Sequence, residues 1–118
     1  MNVKGKNIII TGGSLGIGKE TARSLVKKGA NVLITGRSEN RLIEAKGYTG
    51  AKIIEFDIAD NDNICENAKE CIDILDGRVD VLINNAGIGV RKSIDELNIE
   101  DFLKVFNVNV FGLALFTK

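Results

Sequence analysis

Asn7-Ile8-Ile9-Ile10-Thr11-Gly12-Gly13-Ser14-Leu15-Gly16-Ile17-Gly18 is the stretch on which the fold turns. Residues 7–11 read as a strand whose isoleucines run on without polar alternation, the pattern of a parallel strand covered on both faces. Glycines follow at once, and a helical pattern opens among them, from about Gly16 to Lys28. Gly29, behind the cationic pair Lys27 and Lys28, is a helix stop.

The alternation continues outward. Asn31-Val32-Leu33-Ile34-Thr35 reads as a second strand, and Ser38 can cap a short helix through about Ala45. Gly47 and Gly50 are expected to break the chain before a third strand, Ala51-Lys52-Ile53-Ile54-Glu55-Phe56. Asp60 or Asn61 starts the next helix and Gly77 ends it; Ile64, Ala68, Cys71 and Leu75 share one of its faces. Val79-Asp80-Val81-Leu82-Ile83-Asn84 is a fourth strand. Asn98 can cap a last helix, with Asp101 three residues on in a capping-box-like position. Phe102, Val105, Phe106, Asn109, Leu113 and Phe116 fall on one face of that helix. Strands alternating with crossovers of helical length predict an α/β fold, a doubly wound parallel sheet forming one domain over residues 1–118. Val110 to Phe116 is apolar all round and needs cover on more than one side. The expectation is therefore a sheet truncated after about four strands and the following helix.

Composition narrows the function by exclusion. Sixteen basic residues balance sixteen acidic ones, which gives no reason to expect a nucleic-acid partner. No apolar run has the length of a membrane span, and the N-terminus lacks a signal-peptide core, so the expected location is the cytoplasm. There is no histidine, which removes a Ser-His-Asp triad and the usual zinc sites. Cys65 and Cys71 on one helix would sit about 9 Å apart, too far for a disulfide.

The turn Thr11 to Gly18 has the strongest chemical content. A dinucleotide pyrophosphate needs N–H donors and close backbone approach; a helix N-terminus supplies the donors, and glycines remove the Cβ atoms in the way. The spacing here is Gly-x-x-x-Gly-x-Gly, neither the Gly-x-Gly-x-x-Gly of the commoner dinucleotide fingerprint nor a Walker-type loop. A glycine-rich turn with no ligand is the plainer alternative.

The chain resembles the classical short-chain dehydrogenase/reductase family over essentially its whole length, as the N-terminal part of that family's Rossmann fold. The resemblance rests on Thr11-Gly12-Gly13-Ser14-Leu15-Gly16-Ile17-Gly18, on Phe56-Asp57-Ile58, on Asn84-Asn85-Ala86-Gly87 and on Val108-Asn109-Val110-Phe111-Gly112, in the family's order. It implies cofactor contacts from Gly12, Ser14, Leu15, Gly16, Ile17 and Gly18 in the turn. It implies adenine contacts near Asp57 and Ile58, and a crevice lined by Asn84, Asn85, Ala86 and Gly87. By the same resemblance Asn109 is the catalytic asparagine that orders a water in a proton relay. Each motif also has a structural alternative: Asp57 could begin a turn or cap a helix, and Asn84 and Asn85 could bond nearby backbone. Asn109 lies on an otherwise apolar face, where a buried amide must be hydrogen-bonded.

The second strand ends in Ile34-Thr35-Gly36-Arg37-Ser38, without the acidic residue that reads a ribose 2′-hydroxyl. Arg37 can pair with phosphate oxygens instead, so NADP(H) is expected over NAD(H), which stays possible. Leu15 stands where many NADP-preferring relatives carry a second basic residue.

The resemblance implies hydride transfer between nicotinamide and a small-molecule carbonyl or alcohol substrate, with a tyrosine as general acid/base, a lysine four residues later and an upstream serine. In relatives these lie past the fourth strand and the helix after it. Tyr48 and Lys52 have the right spacing but belong to a glycine-broken surface turn that leads into a strand, so they do not share a helix face. The chain is thus expected to supply the cofactor-binding half of an oxidoreductase; the alternative is a non-catalytic dinucleotide-binding module or inactive fragment. A nucleotide-sugar epimerase is a weaker reading, because its glycine spacing usually differs. Residues Ile88 to Lys92 are candidate substrate contacts by fold analogy, and the full-length form is expected to be a homo-oligomer built on the last helix.

Overall fold

Successive side chains of a strand point to opposite faces of its sheet, and that rule organises the molecule. The computed structural model describes residues 2–87 and 95–117. Four strands, β1 (Asn7–Ile10), β2 (Asn31–Gly36), β3 (Lys52–Glu55) and β4 (Val81–Ile83), form one parallel sheet in the order β3-β2-β1-β4. Ile8 and Ile10 of β1 and Val32 and Ile34 of β2 face one core, which is closed by Ala22 of helix α1 (Gly16–Lys27) and by Leu42 and Ala45 of α2 (Glu39–Thr49). Ile9 and Leu33 face the other, closed by Ile64 and Cys71 of α3 (Ile64–Ile74), by Leu75, and by Val108 and Phe116 of the C-terminal helical rod. The two central strands are thus buried on both faces, which is why they carry no polar alternation.

The C-terminal rod has three parts: α4 (Ile99–Phe106), a π-helical segment (Asn107–Gly112) and α5 (Leu113–Thr117). Asn98 caps α4 as expected: its side chain accepts from the Asp101 N–H at 3.0 Å, and Asp101 accepts from the Asn98 N–H at 3.2 Å.

Three local expectations are corrected. Helix α2 runs through Gly47 to Thr49 and stops at Gly50, which takes the left-handed conformation at φ 80°. An interior glycine costs about 1 kcal/mol against alanine, and the burial of Ala45 and Thr49 on the sheet offsets that; Gly50 is the better stop because only it adopts the left-handed cap. Tyr48 therefore lies in the last turn of a helix rather than in a surface turn. The last helix is not one α-helical face: Phe102 and Phe106 are 47% and 46% exposed, and Val108, Gly112 and Phe116, four apart, are buried instead. Each i→i+5 turn of the π segment takes in an extra residue, so the phase set by Phe102 is lost before Phe116.

Candidate dinucleotide site

Strand order β3-β2-β1-β4 makes the chain reverse direction between β1 and β4, and ligands of such sheets bind at the carboxyl ends of the strands at that point. A cleft of about 450 Å³ opens there. Its walls come from the turn after β1 (Gly12, Ser14, Leu15, Gly16), the end of β2 and the start of α2 (Thr35 to Ser38, and Arg41), the segment after β3 (Phe56, Ile58), the segment after β4 (Asn85, Ala86, Gly87) and Val108. The volume is in the range of ordinary ligand sites.

Threonines hold this mouth together. The buried Thr11 hydroxyl oxygen accepts the backbone N–H groups of Asn85 and Ala86, each at 3.1 Å, and Thr11 N–H donates to the Ile83 carbonyl. The Asn85 amide donates back to the Gly12 carbonyl at 3.1 Å. Thr35, also buried, accepts from the Gly12 N–H on its hydroxyl and from the Gly13 N–H on its carbonyl. The turn is thereby fastened to both neighbouring strands.

The glycines divide their work. Gly12 and Gly16 take positive φ, 68° and 57°, which other residues rarely adopt. Gly18 is needed for space: a Cβ there would lie 2.5 Å from the Asn85 amide nitrogen and 3.0 Å from the Gly12 carbonyl oxygen. Gly16 has the opposite surroundings, with nothing within 4 Å of a Cβ, so the backbone at the start of α1 is open to a ligand. Leu15, the N-cap of α1, makes no side-chain cap bond, and no acidic residue stands in the first turn. The orphan N–H groups and positive end of the dipole face the cleft mouth uncompensated, the arrangement that accepts a phosphate anion. The charged side chains lining the cleft are Arg37 and Arg41, both positive. Phe56, Ile58 and Val108 offer an apolar surface for a flat base. The residues present therefore fit a dinucleotide phosphate ester.

Of the residues singled out from sequence, Gly12, Ser14, Leu15, Gly16, Arg37, Ile58, Asn85, Ala86 and Gly87 line the cleft together. Gly18 supports it from behind. The structure does not bring in the others. Ile17 is 81% exposed on the outer side of the first turn of α1. The Asp57 carboxylate accepts from the Ala59 N–H at 2.9 Å, so it shapes a turn, the plainer of its two readings. The Asn84 amide donates to the Thr117 hydroxyl at 3.2 Å, pinning α5 to the end of β4 instead of facing the cleft. Asn109 is half-buried, with its side-chain oxygen 3.4 Å from where a Gly87 Cβ would stand, so it adjoins the inner rim. Residues 88–92 lie outside those described.

Sequence reading missed Thr11 and Thr35 as the fasteners, and Phe56, Val108, Ser38 and Arg41 as lining. Arg41 had a signal: it lies one helical turn beyond Arg37. Val108 had none, because the π segment sets its direction.

The Tyr48 hydroxyl donates to the Glu20 carboxylate at 2.6 Å and accepts from Arg23 at 2.9 Å, and Lys19 and Arg23 lie over its ring. The Glu20 bond, with lesser causes, raises its pKa above the ordinary phenol value. Lys52 is in β3. The pair clamps α2 to α1 and does not share the cleft, so its rejection as an acid–base pair stands on this geometry.

The short chain dehydrogenase family model matches residues 6–118. The chain belongs to the short-chain dehydrogenase family. An uncharacterized oxidoreductase of Thermotoga maritima is 38% identical over all of this chain and 48% of its own length. The NADP-dependent (R)-specific alcohol dehydrogenase of Lentilactobacillus kefiri is 36% identical over 98% of this chain and 47% of its own. Among solved structures, the 3-ketoacyl-(acyl-carrier-protein) reductase of Brucella melitensis complexed with NADH superimposes with a TM-score of 0.89 at 30% identity, over 98% of this chain and 48% of that one. The chain thus spans about half the length of the relatives it matches. Within the family frame its sheet is the expected parallel, Rossmann-like one. Among the described residues, no helix is long and apolar enough to cross a membrane.

Proposed function

We propose that this chain is the cofactor-binding half of an NADP(H)-dependent oxidoreductase that moves hydride between nicotinamide and a carbonyl or alcohol carbon. The observation that carries the reading is the cleft at the β1–β4 reversal, with an uncapped helix N-terminus at one wall and arginine as its charged lining. The backbone of Gly12 to Gly16 would receive the pyrophosphate; Phe56, Ile58 and Val108 would receive the adenine; and Arg37 would meet a 2′-phosphate. The bound nicotinamide supplies hydride chemistry. Asn85 to Gly87, with Asn109 beside Gly87, would border the nicotinamide end, and Asn109 would hold a water there. The named relatives divide on the cofactor: one is called NADP-dependent, and one structure holds NADH.

Arginine in place of an acidic residue after β2 favours NADP(H). The test is equilibrium titration of NADPH and NADH on wild type and Arg37→Ala. The variant is expected to lose NADPH affinity by about tenfold or more, the size of a charge-assisted hydrogen bond, with NADH little changed. Equal losses would remove the NADP(H) assignment.

One observation favours a second reading, a dinucleotide-binding module without catalysis of its own. Tyr48, the one tyrosine in these residues, is clamped against α1 and does not line the cleft. The intact mass of the protein from its native source separates the two. A mass well above 12.8 kDa, with Tyr-x-x-x-Lys downstream, supports the oxidoreductase; a mass near that value supports the module.

A further inference from the structure

A phosphate monoester carries a charge of about −1.5 to −2 near neutral pH, so one guanidinium leaves it incompletely neutralised. The glycine turn offers no second cation, since Leu15 stands there. The cleft wall does. Arg37, in the segment after β2, and Arg41, in the first turn of α2, line the same cleft, and neither is in an ion pair among the described residues. No acidic residue lines the cleft beside them. Ser38, which caps α2 and also lines the cleft, accepts from the Arg41 N–H at 3.4 Å, so the backbone carrying Arg41 is tied to the wall.

Arg41 also breaks a local rule. A cation in the first turn of a helix opposes the helix dipole, and an acid is the favoured choice there. Glu39 in the same turn follows that rule and does not line the cleft. A bound dianion would reverse the sign for Arg41, and residues that defy local preference concentrate at functional sites.

We propose that Arg41 is a second specificity-determining residue, gripping the adenosine 2′-phosphate together with Arg37 from the first turn of α2. The proposal rests on the NADP(H) reading above and names the residue that completes it. Two planar forks from different elements bind a phosphate more selectively than one, because each offers paired N–H donors in a fixed geometry. Arg41 takes the part that a basic residue in the glycine turn would otherwise play.

The test needs no chemistry. The full chain, as wild type, Arg37→Ala and Arg41→Ala, is titrated calorimetrically with 2′,5′-ADP and with 5′-ADP, which differ only in the 2′-phosphate. Wild type is expected to prefer 2′,5′-ADP, and Arg41→Ala to lower that preference about tenfold with 5′-ADP affinity unchanged. Both arginines are exposed, and thermal melting of each variant checks that the fold is kept. If Arg37→Ala lowers the preference and Arg41→Ala does not, or if Arg41→Ala weakens both ligands alike, the role given to Arg41 is overturned while the NADP(H) reading stands. If wild type shows no preference and Arg37→Ala changes nothing, the NADP(H) reading falls and this proposal with it.

Discussion

Single residues in this chain show how environment separates identical chemistry. Cys65 and Cys71 lie on the same helix, yet one is exposed and the other buried. Burial pushes the Cys71 thiol up to about 12, and the neighbouring Glu70 charge adds to the effect. The thiolate is the reactive species, so Cys71 is protected by both protonation and inaccessibility. A thiol-reactive disulfide reagent is expected to titrate one thiol per native chain, Cys65, and the second only in denaturant. Two fast thiols in the native protein would contradict the packing of α3. The cysteines were legible as a non-disulfide pair, because six residues along a helix fixes their separation. Which of them is buried followed from the face that Cys71 shares with Ile64 and Leu75.

Elements were legible where local chemistry acts within a few residues. Asn98 and Asp101 form the expected capping box, and Ser38 caps α2 as read from sequence. The π segment was not legible, because its cause lies outside the helix. A Cβ on Gly112 would collide with the Ile58 carbonyl oxygen and come within 2.7 Å of the Asn107 carbonyl oxygen. The rod thus packs backbone to backbone on the segment after β3, and Phe116 stacks near Phe56 with ring centroids 5.6 Å apart. Gly112→Ala sets two effects against each other. Helix propensity gains about 1 kcal/mol; overpacking costs about 1–3 kcal/mol, and a backbone carbonyl cannot rotate away as a side chain could. The clash is expected to win. The variant should melt several degrees lower and bind dinucleotide more weakly, because Val108 and Ile58 both line the cleft. Unchanged melting and binding would mean that the rod is free to shift.

At the scale of the whole molecule, the strands' two ends serve different purposes. The carboxyl ends make the cleft; the amino ends are tied by Asn7, a buried residue that sequence reading passed over. Its amide donates to the carbonyls of Leu75 and Arg78, each at 2.9 Å, and its side-chain oxygen accepts from Asn31 at 3.0 Å. Its backbone N–H donates to the Asp80 carboxylate at 2.8 Å. Chiefly through that bond, against an opposing desolvation effect and with help from Arg78, the Asp80 carboxyl is held below the usual carboxylate range. A carboxyl lowered on folding stabilises the fold above its unfolded pKa of about 3.9, and that stabilisation is lost as pH falls through the lower folded value. Urea midpoints of wild type and Asp80→Asn are therefore expected to differ near neutrality and to converge at about pH 2.5. A difference that persists there would mean the variant acts through something other than charge. Arg78, the ion-pair partner at 3.2 Å, is largely exposed and contributes little by itself.

The division between sequence and structure follows the range of the forces. Strand and helix identity, the phosphate-binding turn, the caps and the parallel sheet were all written locally, in glycine spacing, apolar runs and short-range hydrogen bonds. These signals act over a few residues, so they survive without knowledge of the fold. Tertiary structure decided what depends on residues far apart in the chain. Thr11 became a fastener only once the segment after β4 lay beside it. Asn84 turned to Thr117 only because α5 packs against it. Arg41 became a cleft residue only because α2 begins at the wall that β2 builds. Hydrogen-bond partners and lining surfaces are properties of neighbours in space, and the strand order that chooses those neighbours is a cooperative outcome of the whole core.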